Sequence, residues 1–157
     1  MKVVFLDFDG PIIPMASHQP PYRIPGSGAQ ALPCCVDQLN KITDATGAVI
    51  VVSSTWRADG LMKTRERLHK WGIKADCIAI TPHMDERDPK SGLWISHPRG
   101  QEIQKWLDEY DREEVEAFVI LDDDSDMEHL MPYLVQTPFE TGITEDHTAQ
   151  AVALLNR

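Results

Sequence analysis

Three short apolar runs stand out along the chain: VVFL within residues 2–7, residues 48–52, and AFVIL within the stretch EAFVIL that leads into DDDSD. None alternates apolar with polar, so each predicts a strand covered on both faces. DCIAIT at 76–81 predicts a weaker strand and YLVQT at 133–137 a short one. Between them the spacing changes to that of helices. Pro33 fits the first turn of a helix that reaches about Ala45 and stops at Gly47, with Cys35, Leu39 and Ile42 on one face. Leu61, Arg65, Leu68 and Gly72 mark a second helix and its end. Ile103, Trp106, Leu107 and Tyr110 recur at i, i+3, i+4 and i+7, the apolar stripe of a third. Thr144 caps a fourth, with Ala149, Val152 and Leu155 as its stripe.

Strands that alternate with helices predict an α/β fold, a three-layer Rossmann-like arrangement with a central parallel sheet. Residues 1–157 read as one domain. Residues 10–30 hold five prolines and three glycines and predict a long loop. Its 11–28 part, with Tyr22 and Arg23, is a candidate flap. Residues 81–98 predict another loop. The space between the first two strands holds one loop and one helix, which leaves no room for a large cap domain.

In open parallel sheets, ligands bind beyond the carboxyl ends of the strands. Asp7 and Asp9, Ser53 and Ser54, and Asp122, Asp123 and Asp126 all stand at or just past the ends of the three strongest strands. Several carboxylates at one sheet edge repel each other unless a cation sits among them. Mg2+ prefers oxygen ligands and keeps several waters, so this donor set suits it. Asp7 and a later aspartate are the side-chain candidates, and Asp9 offers its backbone carbonyl. Asp122, Asp123 and Asp126 are the candidates for that later aspartate.

Composition narrows the setting. The formal net charge is −10, which repels polyanions at long range and argues against strong nonspecific nucleic-acid binding. It leaves room for a phosphorylated substrate held locally. The longest apolar runs are far below the roughly 18 residues a membrane helix needs. The first residues lack the pattern of a signal peptide, so a cytoplasmic location is expected. Cys34, Cys35 and Cys77 have no metal-ligand spacing and predict no disulfide framework.

Asp7-Phe-Asp9-Gly10 after an apolar strand resembles the first motif of the haloacid dehalogenase superfamily of phosphotransferases. Ser53 matches its second motif, a hydroxyl ending a second strand. Arg99 in HPRGQEIQKWL matches the third, a basic residue opening a helix, where lysine is commoner. ILDDDSDM matches the fourth. Within the superfamily, SSTWR, RGQEI and ILDDDSDM resemble the small domains of Swiss-army-knife RNA repair proteins.

The resemblance implies a Mg2+-dependent phosphatase in which Asp7 attacks phosphorus, Asp9 serves as acid and base, and Ser53 and Arg99 hold the phosphoryl group. Ser54, Gly10, Trp56 and Arg57 are expected near the substrate, and Asp7, Asp9, Asp122, Asp123 and Asp126 near the metal, with Asp122 and Asp123 level as the direct ligand of the fourth motif and Asp126 behind them. The substrate classes implied are a nucleotide, a nucleic-acid end or a phosphoprotein. Lys90 is a rival to Arg99 but lacks an obvious helix to fix it. Ser53 or Ser54 could instead cap the helix that follows. A module of the same fold that binds Mg2+ or phosphate without turnover is the alternative function.

Overall fold

The computed structural model describes residues 1–110 and 114–157. Its centre is a five-stranded sheet of β1 (Lys2–Leu6), β2 (Val49–Val52), β3 (Cys77–Ile80), β4 (Ala117–Asp122) and β5 (Leu134–Gln136), in the order β3-β2-β1-β4-β5. All four pairings are parallel. The helices are α1 (Pro33–Thr46), α2 (Leu61–Lys70), α3 (Arg99–Glu109) and α4 (Glu145–Leu155).

Side chains of a strand point alternately to the two faces, and β1 shows why its apolar run is unbroken. Val4 and Leu6 pack into the layer that contains α1 and α4. Val3 and Phe5 pack on the other side with Ile103, Trp106 and Leu107 of α3. All four are fully buried, each worth about 1.5–3 kcal/mol relative to exposure. Phe5 meets Trp106 edge-on at 5.4 Å between ring centres.

The helix ends follow their local chemistry. Gly47 takes the left-handed conformation at φ 69° and closes α1. Thr144 precedes α4, and its N–H donates to His147 Nδ1 at 3.0 Å. The stripe of α4 keeps Leu155, which is buried, and Val152, half-buried against the core, but Ala149 is exposed and Ala151, at i, i+4 from Leu155, is buried in its place.

The two long loops carry more order than expected. The first contains a one-turn 3-10 helix (Met15–His18) and a hairpin of Arg23–Ile24 with Gly28–Ala29. The second contains a hairpin of Glu86–Arg87 with Trp94–Ile95. Both hairpins have two-residue strands, too short for a sequence period to register. Among the described residues, neither insertion forms a separate cap domain.

The parallel register sets up the site. Leu6 pairs with Val52 on one side and Leu121 on the other. The next residues, Asp7, Ser53 and Asp122, therefore leave the sheet side by side at its carboxyl edge.

Candidate active site at the carboxyl edge of the sheet

Asp7 and Asp122 are both buried, at 7% and 2% exposure, and Asp123 is half-buried beside them. Each offers a carboxylate oxygen, and the three oxygens lie within 4.8 Å of one another. Crowding and burial both penalise charge. Burial pushes the Asp7 carboxyl up to about 6, against the pull of Arg99. Burial and then the Asp7 charge push Asp122 up to about 8. Asp123 is raised too, chiefly by burial.

One Asp122 oxygen accepts from the Asp124 N–H at 3.0 Å. The other, Oδ2, is buried with no hydrogen-bond partner. Such an orphan costs about 1–3 kcal/mol unless something meets it. Three clustered carboxylates with one buried oxygen that makes no hydrogen bond are a hard-oxygen donor set, so the residues present fit Mg2+. Ser53 Oγ, Thr81 Oγ1 and Thr137 Oγ1 are also buried and unpartnered among the described residues. All three follow strand ends, so the sheet edge presents a row of unmet polar atoms.

Asp9 stands across the turn that leaves β1. That turn is closed by Ile13 N–H donating to Phe8 O at 2.8 Å and Gly10 N–H donating to Ile13 O at 3.0 Å. Trp56 Nε1 donates to Asp9 Oδ2 at 2.9 Å. Gly10 has φ +104°, and a Cβ there would fall 2.5 Å from the Asp123 Cβ. Its absent side chain makes room for Asp123.

Arg99 opens α3, as its position before the amphipathic stretch predicts. Its Nε lies 3.8 Å from Asp122 Oδ2, and its Nη1 lies 3.2 Å from Glu102 Oε2. Asp126 is exposed and does not join the carboxylate cluster. Its Oδ2 accepts the Arg99 N–H at 2.9 Å, and its carbonyl accepts the Gly100 N–H at 3.0 Å. It thus satisfies free N–H groups at the start of α3 and stands outside the three-carboxylate cluster. Lys90 sits in the turn of the second hairpin, exposed.

The pair after the second strand divides its work. Ser53 keeps a free buried hydroxyl. Ser54 Oγ accepts the Trp56 N–H at 3.2 Å and so caps the turn at Thr55–Asp59. It also contributes a hydrogen bond that favours the charged Asp7.

Arg57 departs from expectation. It is 1% exposed, out of reach of a substrate. Its guanidinium donates to Thr81 O at 3.0 Å, Ser53 O at 2.9 Å and Ser54 O at 2.8 Å. Nη2 donates to Glu102 Oε2 at 2.7 Å. Arg57 therefore ties the ends of β2 and β3 to α3, and Glu102 passes that tie to Arg99. Glu102 went unread in the sequence because a glutamate three residues into a helix looks like a solvated first-turn acid. Its one signal was its i, i+3 spacing from Arg99.

A family model described as the HAD domain in Swiss Army Knife RNA repair proteins matches residues 3–148. The chain belongs to that family. The match runs from β1 into α4 and so takes in every residue of the site. No curated protein matches the chain. Membership establishes the fold and a hydrolase-type phosphate chemistry in general terms; the residues above bear on the finer reading.

Proposed function

We propose that this chain is a Mg2+-dependent phosphomonoester hydrolase that works through an aspartyl-phosphate on Asp7. The observation that carries this reading is the meeting of Asp7, Asp122 and Asp123 within 4.8 Å, with Arg99 3.8 Å from Asp122 and the free Ser53 hydroxyl alongside. Asp7, Asp122 and Asp123, with the Asp9 carbonyl, would hold the ion, which when bound neutralises charge between Asp7 and the phosphate oxygens.

Asp7 attacks phosphorus with a carboxylate oxygen, and the bond from phosphorus to the leaving oxygen breaks. Asp9 gives that oxygen its proton. An indole N–H only donates, so Trp56 fixes Asp9 Oδ2 as an acceptor and leaves Oδ1 to carry the proton. Asp9 then takes a proton from the water that attacks phosphorus, phosphate departs, and the Asp7 carboxylate is restored. Ser53 Oγ donates to a phosphate oxygen. Arg99, at the first turn of α3, meets the charge spread over the transferring group.

Among the described residues, no large cap encloses this edge. An open site suits a phosphate at the end of a larger molecule, and the family's description names RNA repair. A phosphorylated nucleic-acid end is the substrate class we favour.

The test is hydrolysis of p-nitrophenyl phosphate and of a 3′-phosphorylated oligonucleotide, with Mg2+ or with EDTA, beside Asp7→Asn. Activity that needs both Mg2+ and Asp7 supports the reading. Wild type as inactive as Asp7→Asn across a broad phosphoester panel would favour a binding module without turnover.

A further inference from the structure

Helix α2 carries a charge pattern that the reaction above does not use. Lys63, Arg67 and Lys70 recur at i, i+4 and i+7 and so share one helix face. That face is about 10 Å long at 1.5 Å per residue. All three line an open groove of about 800 Å3, together with Trp56, Trp71 and Ile24. Among the described residues, Glu66 is the one carboxylate on its lining, and Asp59 pairs with Arg67, so the three cations face two carboxylates. On a chain of net charge −10, this local excess of cations creates a potential that the rest of the molecule opposes.

The groove adjoins the catalytic edge through one side chain. Trp56 donates to Asp9 at 2.9 Å and packs edge-on against Trp71 at 5.9 Å. The Arg67 guanidinium lies over the Trp56 ring at 5.0 Å and pairs with Asp59 at 2.7 Å, so it is a fixed cation. Lys63 and Lys70 are exposed. Ile24 belongs to the first hairpin, so the 11–28 loop forms part of the opposite wall.

A single phosphate at Asp7 needs none of this. A row of cations that leads away from the site wants a ligand with further anions at intervals. Indole rings in the same groove want flat partners. Single-stranded nucleic acid offers both: backbone phosphates for a positive groove and bases that stack on aromatic side chains. An acidic peptide would meet the cations but leave the indoles unused.

We propose that this groove seats the single-stranded nucleic acid whose terminal phosphate enters the carboxylate site. The placement of that terminal phosphate rests on the phosphatase reading, whereas binding of the strand in the groove is read without turnover.

Fluorescence anisotropy of a labelled single-stranded hexanucleotide with a terminal phosphate, in EDTA, tests it. Lys63→Glu/Lys70→Glu is compared with the charge-matched Lys41→Glu/Lys105→Glu, and Lys63→Gln/Lys70→Gln serves should the first variant melt early. The groove variant is expected to weaken binding at least tenfold and to lower the log–log salt slope by about 1.4, two contacts at about 0.7 each. The control pair is expected to stay within twofold of wild type, and an abasic hexamer to bind at least fivefold more weakly. Equal losses in both charge variants, equal binding of the abasic hexamer, equal competition by an Asp/Glu-rich hexapeptide, or no binding by wild type would each overturn the proposal. Hydrolysis of p-nitrophenyl phosphate without strand binding would sink the groove alone. Strand binding without hydrolysis of any phosphoester would sink the phosphatase reading alone.

Discussion

Glu102 Oε2 lies 3.2 Å from Arg99 Nη1, beneath the carboxylate cluster, and the same oxygen takes the Arg57 guanidinium at 2.7 Å. A buried carboxylate shared by two arginines fixes the direction of the outer one. Glu102→Gln removes the charge and keeps the shape. It leaves Arg57 buried without its counter-ion, a change that costs about 3 kcal/mol, or a fall in Tm on the order of 10 °C. Below that melting range, kcat on p-nitrophenyl phosphate is expected to drop at least tenfold. A variant that melts early but turns over normally would make Glu102 structural only.

Trp56 holds one oxygen of Asp9. Trp56→Phe keeps most of the ring packing against Phe8 and Trp71 and deletes the donor. A hydrogen bond to the neutral, proton-carrying acid is worth about 0.5–1.5 kcal/mol. The loss in kcat is expected to be up to about tenfold on an alkyl phosphate, whose leaving group needs the proton. It should be smaller on p-nitrophenyl phosphate, whose leaving group does not. Equal losses on both would separate Trp56 from the acid step.

Stability should depend on pH through the raised carboxyls. In the folded state burial pushes Asp7 up to about 6 and Asp122 up to about 8, against the usual 3.8 of an aspartate. Between about pH 4 and pH 8 the metal-free native state therefore binds more protons than the unfolded one, and stability falls as pH rises. Thermal melts in EDTA should show a lower Tm at pH 8 than at pH 5. Asp122→Asn should raise Tm more at pH 8 than at pH 5. Mg2+ should raise the Tm of wild type more at pH 8 than at pH 5. A flat profile that Mg2+ leaves unchanged would contradict the crowded cluster.

Gly10→Ala tests the close approach of the turn to Asp123. A Cβ 2.5 Å from the Asp123 Cβ, at φ +104°, cannot be placed without moving one of them. Loss of at least 1 kcal/mol and a several-fold weaker Mg2+ midpoint are expected from melts and metal titration. An unchanged Mg2+ midpoint would mean that Asp123 is not held by this turn.

The central features of the fold were legible because burial on both faces writes an unbroken apolar run. The runs at β1, β2 and β4 do this, and their aspartates and serines then fall at one edge by parallel register. What stayed hidden depends on side-chain direction at sites without a period. Arg57 and Glu102 carry charge, and nothing in SSTWR or RGQEI tells that both heads are buried together. Asp126 shares an acidic run with Asp122 and Asp123, yet the turn aims it at the start of α3. Asp123 and Asp122 could not be separated as ligands, and the structure brings both to the cluster. The groove on α2 was unread because its cations lie in one short helix of an acidic chain, and its indoles come from two separate segments.

The claim on which the rest depends is that Asp7 carries the phosphoryl group. Rapid acid quench of Mg2+-loaded enzyme with 32P-labelled substrate, followed by peptide mass analysis, tests it most directly. Label on the peptide holding Asp7 in wild type, and none in Asp7→Asn, is the expected result. Full turnover with no labelled protein, or an Asp7→Asn variant as active as wild type, would contradict it.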